Sequence, residues 1–289
     1  EMGETGPCGP CSEIHVDLRT PEEKAKVSGK SLVNMDHPQV IEIWNLVFIQ
    51  FERKADGKLV DLPAKHIDTG MGFERLTMAL QKKSATYDTD IFEKSLRFLE
   101  KKSGFKYGSS DSKRDIAFRV IVDHIRAVAF TIADGQLPSN GGAGYVIRRI
   151  LRRAVRYYYS FLDIQTPLMH ELMEVLADDF KHVFPELDAQ RDFVKKIILN
   201  EEKAFLRTLG NGLKRLEAIE IKDGILDGET AFELYDTYGF PFDLTQLVLS
   251  EKGAKADEVG FEKALQAQKD RGKADAKKEV GDWEVLTDD

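Results

Sequence analysis

The sequence predicts an α+β chain in which an antiparallel sheet comes first and an all-helical part follows. Three observations carry this reading. Apolar residues alternate along Ser12–Leu18 and run down both faces of Ile41–Arg53, the period-two pattern of strands. The turn signal Ala55-Asp56-Gly57-Lys58 joins that run to a short return through Leu59-Val60, as in a hairpin. From Gly72 onward the apolar spacing changes to three and four residues and stays there, as amphipathic helices require.

Taken in order, Ile14, Val16 and Leu18 share one strand face, and residues 19–38 are a polar, lysine-rich excursion. Ile41–Arg53 is apolar on both faces, so it belongs in the middle of the sheet. A further strand runs into His66-Ile67-Asp68, and Phe73, Leu76, Ala79 and Leu80 then mark one face of a first helix. Residues 101–113 read as a linker. Ile116, Val120, Ile125, Val128 and Ile132 line the next helix, which Asp134-Gly135 ends. Further helices are expected near 144–160, 167–183 and 187–220, the last interrupted at Gly210 and Gly212. A short helix from Ala231 stops at Gly239-Phe240-Pro241, with Asp243 placed to cap its successor. Beyond residue 252 the chain is charged and reads as a connector or frayed helix.

The 289 residues are 42% hydrophobic and 32% charged, which excludes disordered and collagen-like chains. No apolar run approaches the ~18 residues of a membrane span. Two cysteines make no disulfide framework, and a reducing cytoplasm is the expected compartment. A net charge of −8 argues against a protein that coats nucleic acid nonspecifically, but leaves room for a local basic patch.

Asp68-Thr69-Gly70-Met71-Gly72-Phe73-Glu74-Arg75 is the most informative segment. Its glycines let backbone approach a ligand, and the helix that follows offers N–H groups to an anion. Arg75 opposes the helix dipole by ~0.3–1 kcal/mol. A phosphate would offset that bias; the alternative is a tight turn with Glu74 or another acid neutralising Arg75. Asp68 suits either an ammonium group or a turn cap. Asn45, an amide on an apolar strand face, bonds backbone or reads a substrate. Cys8 and Cys11 form a C-x2-C pair with His15 nearby, half a zinc site with no second pair at usable spacing, so no metal is expected.

Between Tyr145 and Tyr159 stand Arg148, Arg149, Arg152, Arg153 and Arg156, with no acid among them. Arg148, Arg152 and Arg156 stack at helical spacing, where like charges repel. A nucleic-acid phosphate backbone, with the tyrosines for stacking, is the partner taken forward. Pairing with Glu171, Glu174, Asp178 and Asp179 is the competing arrangement. Asn140, in the loop before this helix, reaches a base edge or caps the helix. His124, His170 and His182 stand alone, and core or surface positions explain them better than catalysis.

The segments GETGPCGPCSE (3–13), EIWNLVFIQF (42–51), DTGMGFER (68–75), DHIR (123–126) and YDTYGFP (235–241) occur in this order. Together they resemble the alanine–tRNA ligase family of class II aminoacyl-tRNA synthetases over nearly the whole chain. The resemblance implies part of a class II antiparallel sheet over 1–104, a helical tRNA-recognition domain over 105–252 and a charged connector over 253–289. It makes Asp68 to Arg75 motif 3. Asp68 would hold the alanine ammonium beside Gly70, Asn45 and Val47 would shape the amino-acid pocket, and Gly70, Gly72 and Arg75 would meet ATP. Asn140 and Asp236 resemble the pair that reads a G·U wobble in the tRNA acceptor stem, with Asp243 nearby in the same motif. Arg148, Arg149, Arg152 and Arg153 would be tRNA contacts. The implied partners are alanine, ATP with Mg2+ and an alanine-accepting tRNA.

Motifs 1 and 2, with an arginine for the α-phosphate, are absent from these residues, as is the family's zinc-bearing editing domain. The expectation is therefore an internal fragment that does not activate alanine alone. A non-catalytic acceptor-stem binding module derived from the same enzyme, and an unrelated nucleotide-binding protein, are the competing readings.

Overall fold

A computed structural model describes residues 4–219, 221 and 223–276; Glu1–Gly3 and the last part of the expected connector, 277–289, lie outside it. The chain divides into two units, residues up to 98 with 106–111, and 99–105 with 112 onward.

The first unit is an antiparallel sheet, as the alternation predicts. β1 (Gly6–Cys8) and β2 (Cys11–Asp17) lie end to end along one edge of β3 (Val40–Arg53), and β4 (Leu59–Met71) takes the other edge. The doubly apolar run is thus the central strand. The return strand and the strand before Asp68 are one element, β4, whose register shifts between Ile49 and Phe51 of β3. The 19–38 excursion is more ordered than its composition suggests. α1 (Pro21–Lys26) carries a reciprocal capping box between Thr20 and Glu23, and Arg19 donates to both carboxylate oxygens of Asp17 and to the Val27 carbonyl. On α2 (Phe73–Leu80) the buried side chain is Met78, which accepts from the Thr86 hydroxyl, while Phe73 and Leu80 are exposed. α3 (Asp90–Ser103) carries Lys101 and Lys102 in its last turn, where cations suit the helix dipole, so the linker begins after them.

The second unit is helical: α4 (Lys113–Ala133), α5 (Gly142–Phe161), α6 (Met169–Phe180), α7 (Pro185–Ala189), α8 (Arg191–Ala218), α9 (Gly228–Tyr238), α10 (Phe242–Ser250) and α11 (Glu258–Ala276). Two short parallel strands, β5 (Ile225–Leu226) and β6 (Lys255–Ala256), pair beside them. The buried stripe of α4 runs through Phe118, Ile121, Ile125, Val128 and Ile132; Ile116 and Val120 lie on its margin. It packs with Leu151, Ala154 and Tyr158 of α5 and Val194, Ile198 and Phe205 of α8 into one buried core.

α8 is unbroken through Gly210 and Gly212. These glycines serve packing: a Cβ on Gly212 would sit 2.5 Å from the Phe240 ring, and one on Gly210 2.7 Å from the Tyr159 hydroxyl. The corner after α9 therefore seats directly on α8. Gly239 turns it in the left-handed region (φ 65°), and the Thr208 hydroxyl donates to the Tyr238 carbonyl at 2.7 Å. Asp243 does not cap α10. It sits in the first turn after Pro241 and pairs with Arg149. The charged tail folds as α11, anchored by Phe261, which stacks on Phe242 at 4.4 Å between ring centres.

Candidate functional site

The first candidate site is a patch of sheet. Register sets Asn45 of β3 opposite Gly70 of β4, and Val47 opposite Asp68. Directly opposed residues of an antiparallel pair share a face, so all four project from one side, two rows deep. On the other edge β2 extends the rows, with Glu13 opposite Asn45 and Cys11 opposite Val47. Asn45 and Val47 are half-buried, Asp68 and Gly70 exposed. A Cβ on Gly70 would meet nothing within 4 Å, so a side chain there would project into the space above the floor. The Thr69 hydroxyl accepts from the Trp44 indole at 2.5 Å and donates to the Asn45 carbonyl at 2.8 Å, tying the two strands at this level. Glu13 is held below the usual carboxylate range by hydrogen bonds from His15 and Asn34, so it stays charged at neutral pH.

Arg75 stands in the first turn of α2, exposed, and its guanidinium donates to the Glu42 carbonyl at 3.1 Å. The Gly72 N–H bonds the Ile43 carbonyl at 3.1 Å, pinning the helix start to β3. α2 opens on Gly72 with no side-chain cap, which leaves its N-terminus and a cation on one side of the strand ends. That arrangement fits a polyphosphate.

In the second unit, the arginine row of α5 is largely committed internally. Arg148 grips Glu201 with two hydrogen bonds, at 3.0 and 2.7 Å. Arg156 is buried and paired bidentately with Glu251 at 2.8 and 2.9 Å. Arg149 faces Asp243 at 3.1 Å. Arg152 donates to the Gly239 carbonyl and lies over the Phe205 ring at 5.1 Å; burial, then the charge of Arg148, lowers its pKa. Arg153 is exposed, 5.9 Å above the Tyr157 ring. Of the acids in the competing arrangement, Glu171 pairs with Lys102, Glu174 with Lys195, and Asp178 with Arg191.

What α5 does build is one wall of a cleft of about 450 Å³, into which Asn140, Arg148, Arg152 and Asp236 all open. Arg148 donates to Asn140 Oδ1 at 2.5 Å, so the Asn140 amide N–H groups are left as donors. Asp236 supplies carboxylate oxygens across from it. Asp243 lines a separate cleft with Arg149 and Arg153.

A family model described as tRNA synthetases class II (A) matches residues 1–288. The chain belongs to that family. Among curated relatives, the alanine–tRNA ligase of Cytophaga hutchinsonii is 61% identical over 100% of this chain and 33% of its own length. Those of Flavobacterium psychrophilum and Porphyromonas gingivalis are 58% and 57% identical over 99% of the chain and 33% of theirs. The chain thus spans about a third of the length of these relatives.

The segment from Asp68 to Arg75 forms the end of β4, Gly72 and the start of α2. Cys8 is buried and Cys11 exposed, and both are free thiols. His15 contacts Glu13, and the His37 ring accepts from the Gln39 N–H; among the described residues no group of three or more His, Cys, Asp or Glu converges. Sequence reasoning missed Glu202. Fully buried on α8, it accepts from the N–H groups of Leu168, Met169 and His170 and from the Tyr158 hydroxyl. It thereby caps α6, which has no side-chain cap of its own. A lone glutamate 32 residues from its His170 contact carries no local signal.

Proposed function

We propose that the chain carries the alanine pocket and the acceptor-stem reader of an alanine–tRNA ligase acting in the cytoplasm. The observation that supports this most is the register that faces Asn45 with Gly70 and Val47 with Asp68. A carboxylate beside a small apolar residue and a glycine suits an amino acid with an ammonium group and a one-carbon side chain.

Asp68 holds the alanine ammonium, and Asn45 and Val47 bound the methyl group. Arg75, with Gly70 and Gly72 leaving room for backbone approach, takes the ATP phosphates. Mg2+ would be carried by the ATP phosphates and would offset their charge. A carboxylate oxygen of alanine attacks the ATP α-phosphorus and pyrophosphate leaves. A ribose hydroxyl of the terminal tRNA adenosine then attacks the alanyl carbonyl carbon and AMP leaves. No side chain need act as nucleophile, because positioning and charge stabilisation suffice. In the helical unit Asn140 offers donors and Asp236 an acceptor into one cleft. That pair complements the base-edge acceptors and the guanine amine in the shallow groove of an RNA stem.

The test is ATP–pyrophosphate exchange by the whole gene product across the common amino acids. Exchange dependent on alanine is expected. Stem binding without exchange would favour the non-catalytic module instead.

A further inference from the structure

The helix α11 closes the cleft that Asn140 and Asp236 enter. Leu265, Gln268 and Lys269 line it, and the Gln268 amide donates to Asp236 Oδ1 at 2.5 Å. The delivery is built rather than incidental. A Cβ on Gly228 would lie 2.2 Å from the Gly260 backbone, so α9 and α11 start in backbone contact. Phe261 then packs among Phe242, Phe232 and Tyr235. Phe261, Leu265 and Gln268 follow at helical spacing on one face. The aromatic anchor therefore points Gln268 at Asp236 two turns further on.

We propose that Gln268 is a positioning residue for acceptor-stem specificity. Its amide occupies one carboxylate oxygen of Asp236, so that the other is presented toward the guanine amine of the stem. Arg148 does the same for Asn140, whose carbonyl oxygen it holds. The two readers are thus locked as one donor and one acceptor by opposite walls of the cleft. Without Gln268 the Asp236 carboxylate rotates freely and accepts from water or from any donor. This inference rests on the assignment of Asn140 and Asp236 to base reading.

The experiment measures kcat/KM for alanylation of two acceptor-stem minihelices by the whole gene product, one with the G·U pair and one with a Watson–Crick pair in its place. Gln268→Ala, and Gln268→Met as a variant of similar shape and helix propensity, are expected to cut the G·U preference by about tenfold, with an unchanged melting temperature. An unchanged preference in either variant, or an equal loss on both stems, overturns the proposal. Asp236→Asn separates the levels. If it abolishes the preference while the Gln268 variants keep it, only the role of Gln268 fails. If it too leaves the preference intact, the base-reading assignment fails with it.

Discussion

Removing Glu251 should cost the helical unit heavily, because it strands Arg156. That side chain is 4% exposed, and its guanidinium is paired to both Glu251 oxygens at 2.8 and 2.9 Å. Breaking a buried pair from one side costs about 3–5 kcal/mol. Two terms reduce the figure. The Phe161 and Tyr157 rings, 4.8 and 5.3 Å from the guanidinium carbon, retain about 0.5–2 kcal/mol of cation–π attraction. Glu251 is also 22% exposed, so water reaches the site. A loss of about 2–3 kcal/mol remains for Glu251→Ala, or roughly 5–10 °C in the midpoint of a unit this size. Circular-dichroism melting of the chain measures it. The double variant Arg156→Met with Glu251→Leu should recover most of the loss, since apolar replacement of a buried pair is often neutral. A Glu251→Ala variant with an unshifted midpoint but weakened stem binding would show that the pair is not structural and return Arg156 to the RNA-facing set.

Further outcomes follow from the same geometry. Burial opposes ionisation of Glu251, but its bonds with Arg156 and the nearby charges of Arg156 and Lys113 hold its pKa below the ordinary 4.5. Its contribution is therefore complete above the unfolded value and disappears as pH falls through the depressed one. Stability curves between about pH 5 and pH 3 should show this acid-labile component in the wild type and lack it in the double variant. Glu202→Ala should destabilise by about 3 kcal/mol, because three backbone N–H groups and the Tyr158 hydroxyl lose a buried acceptor; urea unfolding reads it. Gly212→Ala forces the Phe240 ring aside and should cost about 1–3 kcal/mol. Arg153→Ala should reduce the salt dependence of stem binding with little change in stability, whereas Arg148→Ala should lower both.

The sheet and the helical run were legible because period two and period 3.6 survive in this sequence. Ile41–Arg53 shows its central place directly, since both faces are apolar. The breaks assigned at Gly210 and Gly212 were misplaced: those glycines admit Tyr159 and Phe240 from other elements, a demand that no local pattern carries. The tail after residue 252 looks unanchored in the sequence because Phe261, buried among the described residues, finds its partners on α9 and α10. At the site, Asp68, Asn45 and Arg75 stood out by chemistry, but their rows depend on a register shift between Ile49 and Phe51 that spacing does not predict. The arginine stack was plain, and its partners were not. Glu201 and Glu251 lie 53 and 95 residues from the arginines they hold.

Asp68 is proposed to anchor the amino acid. Alanine-dependent ATP–pyrophosphate exchange by the whole gene product, wild type against Asp68→Asn, tests it most directly. Replacing the carboxylate with a neutral amide of the same shape should raise the KM for alanine by about 100-fold, the scale of losing a charged partner, while the KM for ATP changes little. An unchanged KM for alanine in a folded Asp68→Asn enzyme would contradict the account.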